Sequence, residues 1–245
     1  MNTLQTLWVM WQNEKSRAYY HIGTLNYLNE IYEFSYTNDG KRKLNEALAD
    51  GYFLHPSFPE KHTIYQSNAL FAAFKRRIPT KDRSDYFSIL KDLNLEENCS
   101  MMDLLKATRG RLASDMYSFE QPIEFKNNSI SLDFYIHGVR HTLSDVPNWY
   151  QKIQVGEQIL LKQEPTNKFD KTAVAMYTSG GLKLGYVPAV YSEQIFNLLE
   201  TGASTDVKIT YINEKSEPAW WLKVKCKCSL QVKRSLPRQT NTVNV

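Results

Sequence analysis

Apolar residues along this chain recur with two spacings, and the elements they predict follow from which one holds. LWVMW (7–11) is a short apolar and aromatic run. HIGTLNYL (21–28) and IYEFSY (31–36) alternate as strands do, with TNDGKRK (37–43) as a turn. GYFLHPSFPEKH (51–62) carries three aromatics and two prolines, which suits an ordered, packed loop better than a strand. Helical spacing then takes over. Leu70, Phe71, Phe74 and Ile78 share a face of ALFAAFKRRI (69–78). Ser84 opens DYFSILKDLNL, where Tyr86, Ile89, Leu90 and Leu93 form a stripe. Ser100 with Asp103 three residues on resembles a capped start to MMDLLKATRGRL, and Gly110 is its stop.

Between about residues 120 and 131 the character changes to short strands and turns. Strands are expected at FYIHGVR (134–140), EQILLKQ (157–163), TAVAMY (172–177), LKLGYVP (182–188), DVKITYI (206–212) and AWWLKVKCKC (219–228). SGG (179–181) is a hairpin turn, and YSEQIFNLLE (191–200) is a helix ending at Gly202. The fold class expected is α+β: an N-terminal mixed α/β domain over 1–130, then a small OB-like β-barrel domain over 131–230. The polar tail, 231–245, is expected to be disordered.

Composition adds little until charge is placed along the chain. Of 245 residues, 42% are hydrophobic, enough for packed cores, and the 15 Tyr, 11 Phe and 5 Trp supply many flat rings. Residues 1–131 hold 16 Lys+Arg and 16 Asp+Glu, whereas 132–245 hold 14 against 10, so the whole net charge of +4 falls in the second half. That is a mild lean toward a polyanion, which a solvated basic surface explains about as well. No run approaches 18 apolar residues, and MNTLQTLWVMWQNEK lacks the features of a secretory leader. With three cysteines in no framework spacing, a reducing cytoplasm is expected.

Motifs for catalysis are not found: no Gly-rich phosphate loop, nucleophile elbow or H-E-x-x-H. The five histidines are scattered, and His21 and His137 lie in strand patterns that suit a structural role. Cys226 and Cys228 would share a strand face, but two more zinc ligands are lacking nearby. No metal and no cofactor are expected. KRRIPTKDR (75–83) and TRGRLASD (108–115) are basic stretches that read either as solvated helix ends or as contact surfaces.

EPTNKFDKTAVAM (164–176) asks for more. Asn and Asp account for a turn, but not for a ring, Phe169, set between Lys168 and Lys171. Such a combination suits a single-stranded nucleic acid end, where a ring stacks on a base and cations hold phosphates. An acid among them, Asp170, would accept from a sugar hydroxyl and repel a phosphate. The plainer reading stays open: Asn167 and Asp170 cap the turn and Phe169 packs inward.

FYIHGVRH (134–141), VGEQILLKQEPTNKFDKTAVAMY (155–177) and LGYVP (184–188), in that order, resemble the HIRAN domain. The resemblance implies an OB-like fold. It also implies binding of single-stranded DNA at its 3′-hydroxyl end, as in the best understood HIRAN domain. Carried over, Arg140 would hold terminal nucleotides beside His141, at a position where the end binders have Tyr. Asn167, Phe169, Asp170 and Lys171 would occupy the recognition turn, with Asp170 sensing the hydroxyl. Trp220 or Trp221 would stack on a base, and Trp149 or Tyr150 could stand in for the ring missing at 141. The first half is similar, by HIGTL, YEFSY, FLHPSFP and LFAAFKRRIPTKDR, to the N-terminal subdomain of HipA-type toxin kinases, without the kinase core.

The expectation is a non-enzymatic protein that binds single-stranded DNA or DNA ends, in a setting such as DNA repair. The alternative is a protein-binding subunit of a HipA-like toxin–antitoxin module, tethered to DNA and partnered by a HipA-like kinase or regulator.

Overall fold

The computed structural model describes residues 4–38 and 40–230, and these divide into two compact units, through Pro122 and from Ile123 onward. The tail expected to be disordered lies outside the described residues. No helix among them is long and apolar enough to cross a membrane.

In the first unit, β2 (Tyr19–Leu28) and β3 (Ile31–Tyr36) are the strands that their alternation predicts, and the apolar run at 7–11 lies in a third, β1 (Gln5–Gln12), antiparallel to β2. α1 (Leu44–Ala49), β4 (Tyr65–Ser67), α2 (Ala72–Lys75), α3 (Tyr86–Asp92), α4 (Met101–Thr108) and β5 (Tyr117–Glu120) complete it. The sheet order is β4-β3-β2-β1-β5. Leu25, Phe34, Leu44, Phe58, Phe74 and Phe119 are the centre of its core. Phe58 brings the 51–62 loop into that core, its ring 4.4 Å from Phe34 and 5.2 Å from Phe74. The Tyr36 hydroxyl, which donates to the Phe58 carbonyl and accepts from the His55 N–H, holds the loop in place.

Ser100 and Asp103 form the capping box that their spacing predicts at the start of α4. The expected helix over 69–78 is corrected to the single turn of α2. Phe71, whose ring packs on Phe58 at 5.2 Å, is extended, and Pro79 lies just beyond Ile78. Neither β4 nor β5 was expected, each being too short to show alternation.

The second unit contains β6 (Ser129–Tyr135), α5 (Val139–Leu143), β7 (Ile159–Gln163), β8 (Val174–Thr178), β9 (Lys183–Tyr186), α6 (Ala189–Glu200), β10 (Ser204–Ile212) and β11 (Leu222–Ser229). Two 3-10 turns, at Trp149–Gln151 and Pro218–Trp220, join them. The strands make two three-stranded antiparallel sheets, β10-β11-β6 and β7-β8-β9. They surround a core that includes Ile130, Leu132, Met176, Leu184, Tyr191, Val207 and Val224. Isolated bridges Gln158–Lys208 and His137–Tyr186 link the two sheets. Neither sheet is closed, so the OB-like barrel is not confirmed, whereas the mixed α and β character is.

The strand expected at FYIHGVR is corrected as well. It ends at Tyr135, and Gly138 (φ 74°) turns the chain into α5, which therefore carries Arg140 and His141.

Candidate functional site

Two glycines set the geometry where α5 meets β9. Gly138 needs its left-handed conformation to leave the strand. Gly185 (φ 148°) lets β9 approach so closely that a Cβ there would lie 2.3 Å from the His137 carbonyl oxygen. His137 and Tyr186 then exchange backbone hydrogen bonds of 2.9 and 2.8 Å. Thr142 pins α5 to β9 by donating to the Leu184 carbonyl at 2.8 Å. Arg140 and His141 are both exposed on this short helix, which packs against β9 and against the Pro218–Trp220 turn.

The 164–173 loop is tied to the same strand through Glu164. Its carboxylate accepts from Lys183 Nζ at 2.7 Å, the Tyr186 hydroxyl at 3.0 Å and Asn167 Nδ2 at 3.2 Å. Burial alone would raise the Glu164 carboxyl, but hydrogen bonds from Lys183, Asn167 and Tyr186 outweigh it and hold the group below its ordinary range. Burial would likewise lower Lys183; its bonds to Glu164 and Tyr186 instead push the ammonium up. Lys183 Nζ also lies 4.3 Å from the centre of the Tyr186 ring, a cation–π contact.

Within the loop, Asn167 Oδ1 accepts from the N–H of Phe169 at 3.0 Å and of Asp170 at 3.3 Å. Asp170 Oδ1 accepts from the Thr172 N–H and hydroxyl, at 2.9 and 2.7 Å, and Oδ2 from the buried Ser192 hydroxyl of α6 at 3.0 Å. Asn167 and Asp170 thus do what turn chemistry asks of them. The loop they fix presents Lys168, Phe169 and Lys171 outward, all exposed. Phe169 is 99% exposed, the most exposed of the large apolar side chains described. A ring so placed makes no core contact, and the inward-packing alternative does not describe it.

The two candidate tryptophans separate. Trp221 stacks on the buried Trp149 with ring centres 5.0 Å apart and donates to the Ser216 carbonyl at 2.9 Å, so both rings of that stack serve packing. Trp220 is half-buried and meets Tyr135 edge-on at 4.8 Å. Burial pushes the Tyr135 hydroxyl up to about 12, so it stays protonated across the working range. Tyr150 is exposed, unlike Trp149.

The structure therefore makes α5, β9 and the Pro218–Trp220 turn neighbours and ties the 164–173 loop to β9. Sequence reading named Arg140, His141, Asn167, Phe169, Asp170, Lys171 and Trp220. It did not single out Glu164, Lys183 or Tyr186, the three side chains that bind loop to strand. Glu164 and Tyr186 lay within the EPTNKFDK and LGYVP stretches of the resemblance, and Lys183 showed only as a charge at the start of β9.

Each of the two basic stretches of the first unit holds one buried arginine. Arg77 is buried, donates twice to Asp115 and once to the Gly110 carbonyl, and lies over the Tyr117 ring. Arg109 is buried against Glu120. Both are structural, whereas Arg76 is largely exposed. Cys226 and Cys228 are buried with their sulfurs 3.9 Å apart. Among the described residues no group of three or more His, Cys, Asp or Glu could hold a metal.

Residues 129–233 match the model of the HIRAN domain family. No curated protein matches the chain. Among solved structures the chain is similar to a protein from Lactobacillus plantarum, at 20% identity over 42% of this chain and 97% of that one, with a TM-score of 0.36. It is also similar to the HIRAN domain of human HLTF, at 16% identity over 44% and 84%, with a TM-score of 0.34. The HIRAN match suggests DNA binding. The resemblance of the first half to HipA-type proteins, and with it a HipA-like partner, is not shown.

Proposed function

We propose, with a HIRAN domain over residues 129–233 as the premise, that the second unit binds the unpaired 3′ end of single-stranded DNA. Phe169 carries the reading: a phenyl ring 99% exposed between two exposed lysines, on a loop that its own hydrogen bonds hold in one shape. A solvent-exposed ring on a fixed loop is pre-organised to stack on a base, and the flanking cations are placed for the adjoining phosphates. Arg140 and His141 on α5, with Trp220 on the neighbouring turn, supply a second cationic and aromatic group. Asp170, partly committed to Thr172 and Ser192, provides the negative field that disfavours a terminal phosphate. The function proposed is binding without catalysis.

Fluorescence anisotropy with single strands ending in a 3′-hydroxyl or a 3′-phosphate, and with blunt duplex, tests this. The hydroxyl-ended strand binds tightest, and affinity falls with salt. Equal, weak binding to all three defeats end recognition. Asp170→Ala is a poor probe alone, since it also frees Thr172 and Ser192; the comparison of the two 3′ ends in the unaltered protein is decisive.

A further inference from the structure

Alternation along β11 sends Leu222, Val224, Cys226 and Cys228 into the core and Lys223, Lys225 and Lys227 to the opposite face. Strand register arranges that face in rows: Ser204, Ser229 and Ser129; Asp206, Lys227 and Ser131; Lys208, Lys225 and Asp133; Tyr211, Lys223 and Tyr135. β11 is the middle strand, so its lysines do not serve to blunt a sheet edge. Lys208 and Lys225 stand directly across from one another, a like-charge pairing, with Asp133 across from Lys225 on its other side and Asp206 across from Lys227. Two carboxylates share the face with these four lysines. Asp206 lies 3.5 Å from Lys208, and among the described residues Lys225 and Lys227 make no ion pair. Uncharged polar residues would keep the face solvated without the repulsion.

The row has a direction. Its first member, Lys223, lies with Nζ 5.6 Å from the centre of the Tyr135 ring, the ring that Trp220 meets edge-on. The Trp220 turn packs against α5, the helix of Arg140 and His141. From there the lysines lead away along β11, about 6.7 Å from one to the next. We infer that this sheet face is a track for the phosphate backbone of the strand whose end the candidate site holds. The inference rests on the end-binding reading and extends the contact from the terminal nucleotides to the chain behind them.

The test uses the full chain, the Lys225→Gln/Lys227→Gln double variant and Arg140→Ala. Each is titrated with anionic phospholipid vesicles and with 3′-hydroxyl single strands of about 4 and about 16 nucleotides, lengths that span the site sizes of single-strand-binding folds. The unaltered protein binds the longer strand at least about tenfold more tightly. The lysine variant loses that advantage, and its slope of log affinity against log salt falls by about 1.4, which is about 0.7 for each contact removed. Its affinity for the short strand is unchanged, and its thermal midpoint is unchanged or raised as the repulsion on Lys208 is relieved. Arg140→Ala weakens both strands.

If the short strand binds through Arg140 while length and the lysine variant make no difference, the track is overturned and the end site stands. No binding of the short strand, or none of it dependent on Arg140, overturns the end site itself and the track leading from it. Should the lysine variant lose binding only to anionic phospholipid vesicles, the face belongs to a membrane surface and the inference is likewise overturned.

Discussion

Phe169, on a loop, and His21, on a strand, show how differently two rings behave. Phe169 makes no core contact, so Phe169→Ala leaves thermal stability unchanged. It weakens single-strand binding about 5- to 150-fold, the equivalent of one lost base stack, as anisotropy titration would show. His21 lies 4.8 Å from Trp8, with Nε2 3.3 Å from the Thr24 hydroxyl. Burial, then the Lys43 charge, pushes its pKa down to about 4. The folded value is below the unfolded one, so the stability it contributes is present above about pH 6.5 and is lost as pH falls toward 4. Urea unfolding followed between pH 7 and pH 4 should show a decline on the order of 2–3 kcal/mol, flattened in His21→Gln.

Among the elements, the junction of α5 with β9 tolerates least. Gly185→Ala drives a Cβ into the His137 carbonyl and costs at least about 2 kcal/mol, measured as a lowered denaturation midpoint of the second unit. Single-strand binding falls with it, because Arg140 and the Glu164–Tyr186 tie depend on that junction. In the first unit, Asp115→Ala strands the buried Arg77 charge and costs about 3 kcal/mol, with no effect on DNA affinity, by thermal denaturation alongside anisotropy. The basic composition of KRRIPTKDR does not separate Arg77 from its exposed neighbour Arg76; only their partners do.

At the scale of the whole molecule, the described residues form two cores with no shared member, one in each unit. A fragment beginning at Ile123 is therefore expected to fold and to keep single-strand affinity within about threefold of the full chain, well inside 1 kcal/mol. A greater loss, by the same titration, would assign the first unit a share in binding. The HIRAN match reaches only the second unit, so the role of the first is open to a partner search by pull-down.

By itself the sequence determined the strands with clean alternation, the capped start of α4, α6, and the turn chemistry of Asn167 and Asp170. These depend on neighbours a few residues away, and local pattern records such neighbours. Tertiary structure decided the rest: that Gly138 ends a strand and opens a helix, that Trp221 stacks on Trp149 while Trp220 meets Tyr135, that Phe169 faces water. It also decided that Glu164, Lys183 and Tyr186 meet, and that Lys208 stands opposite Lys225. Each of these depends on which distant backbone comes alongside, and register between strands far apart in the chain is fixed only when the core they share is filled.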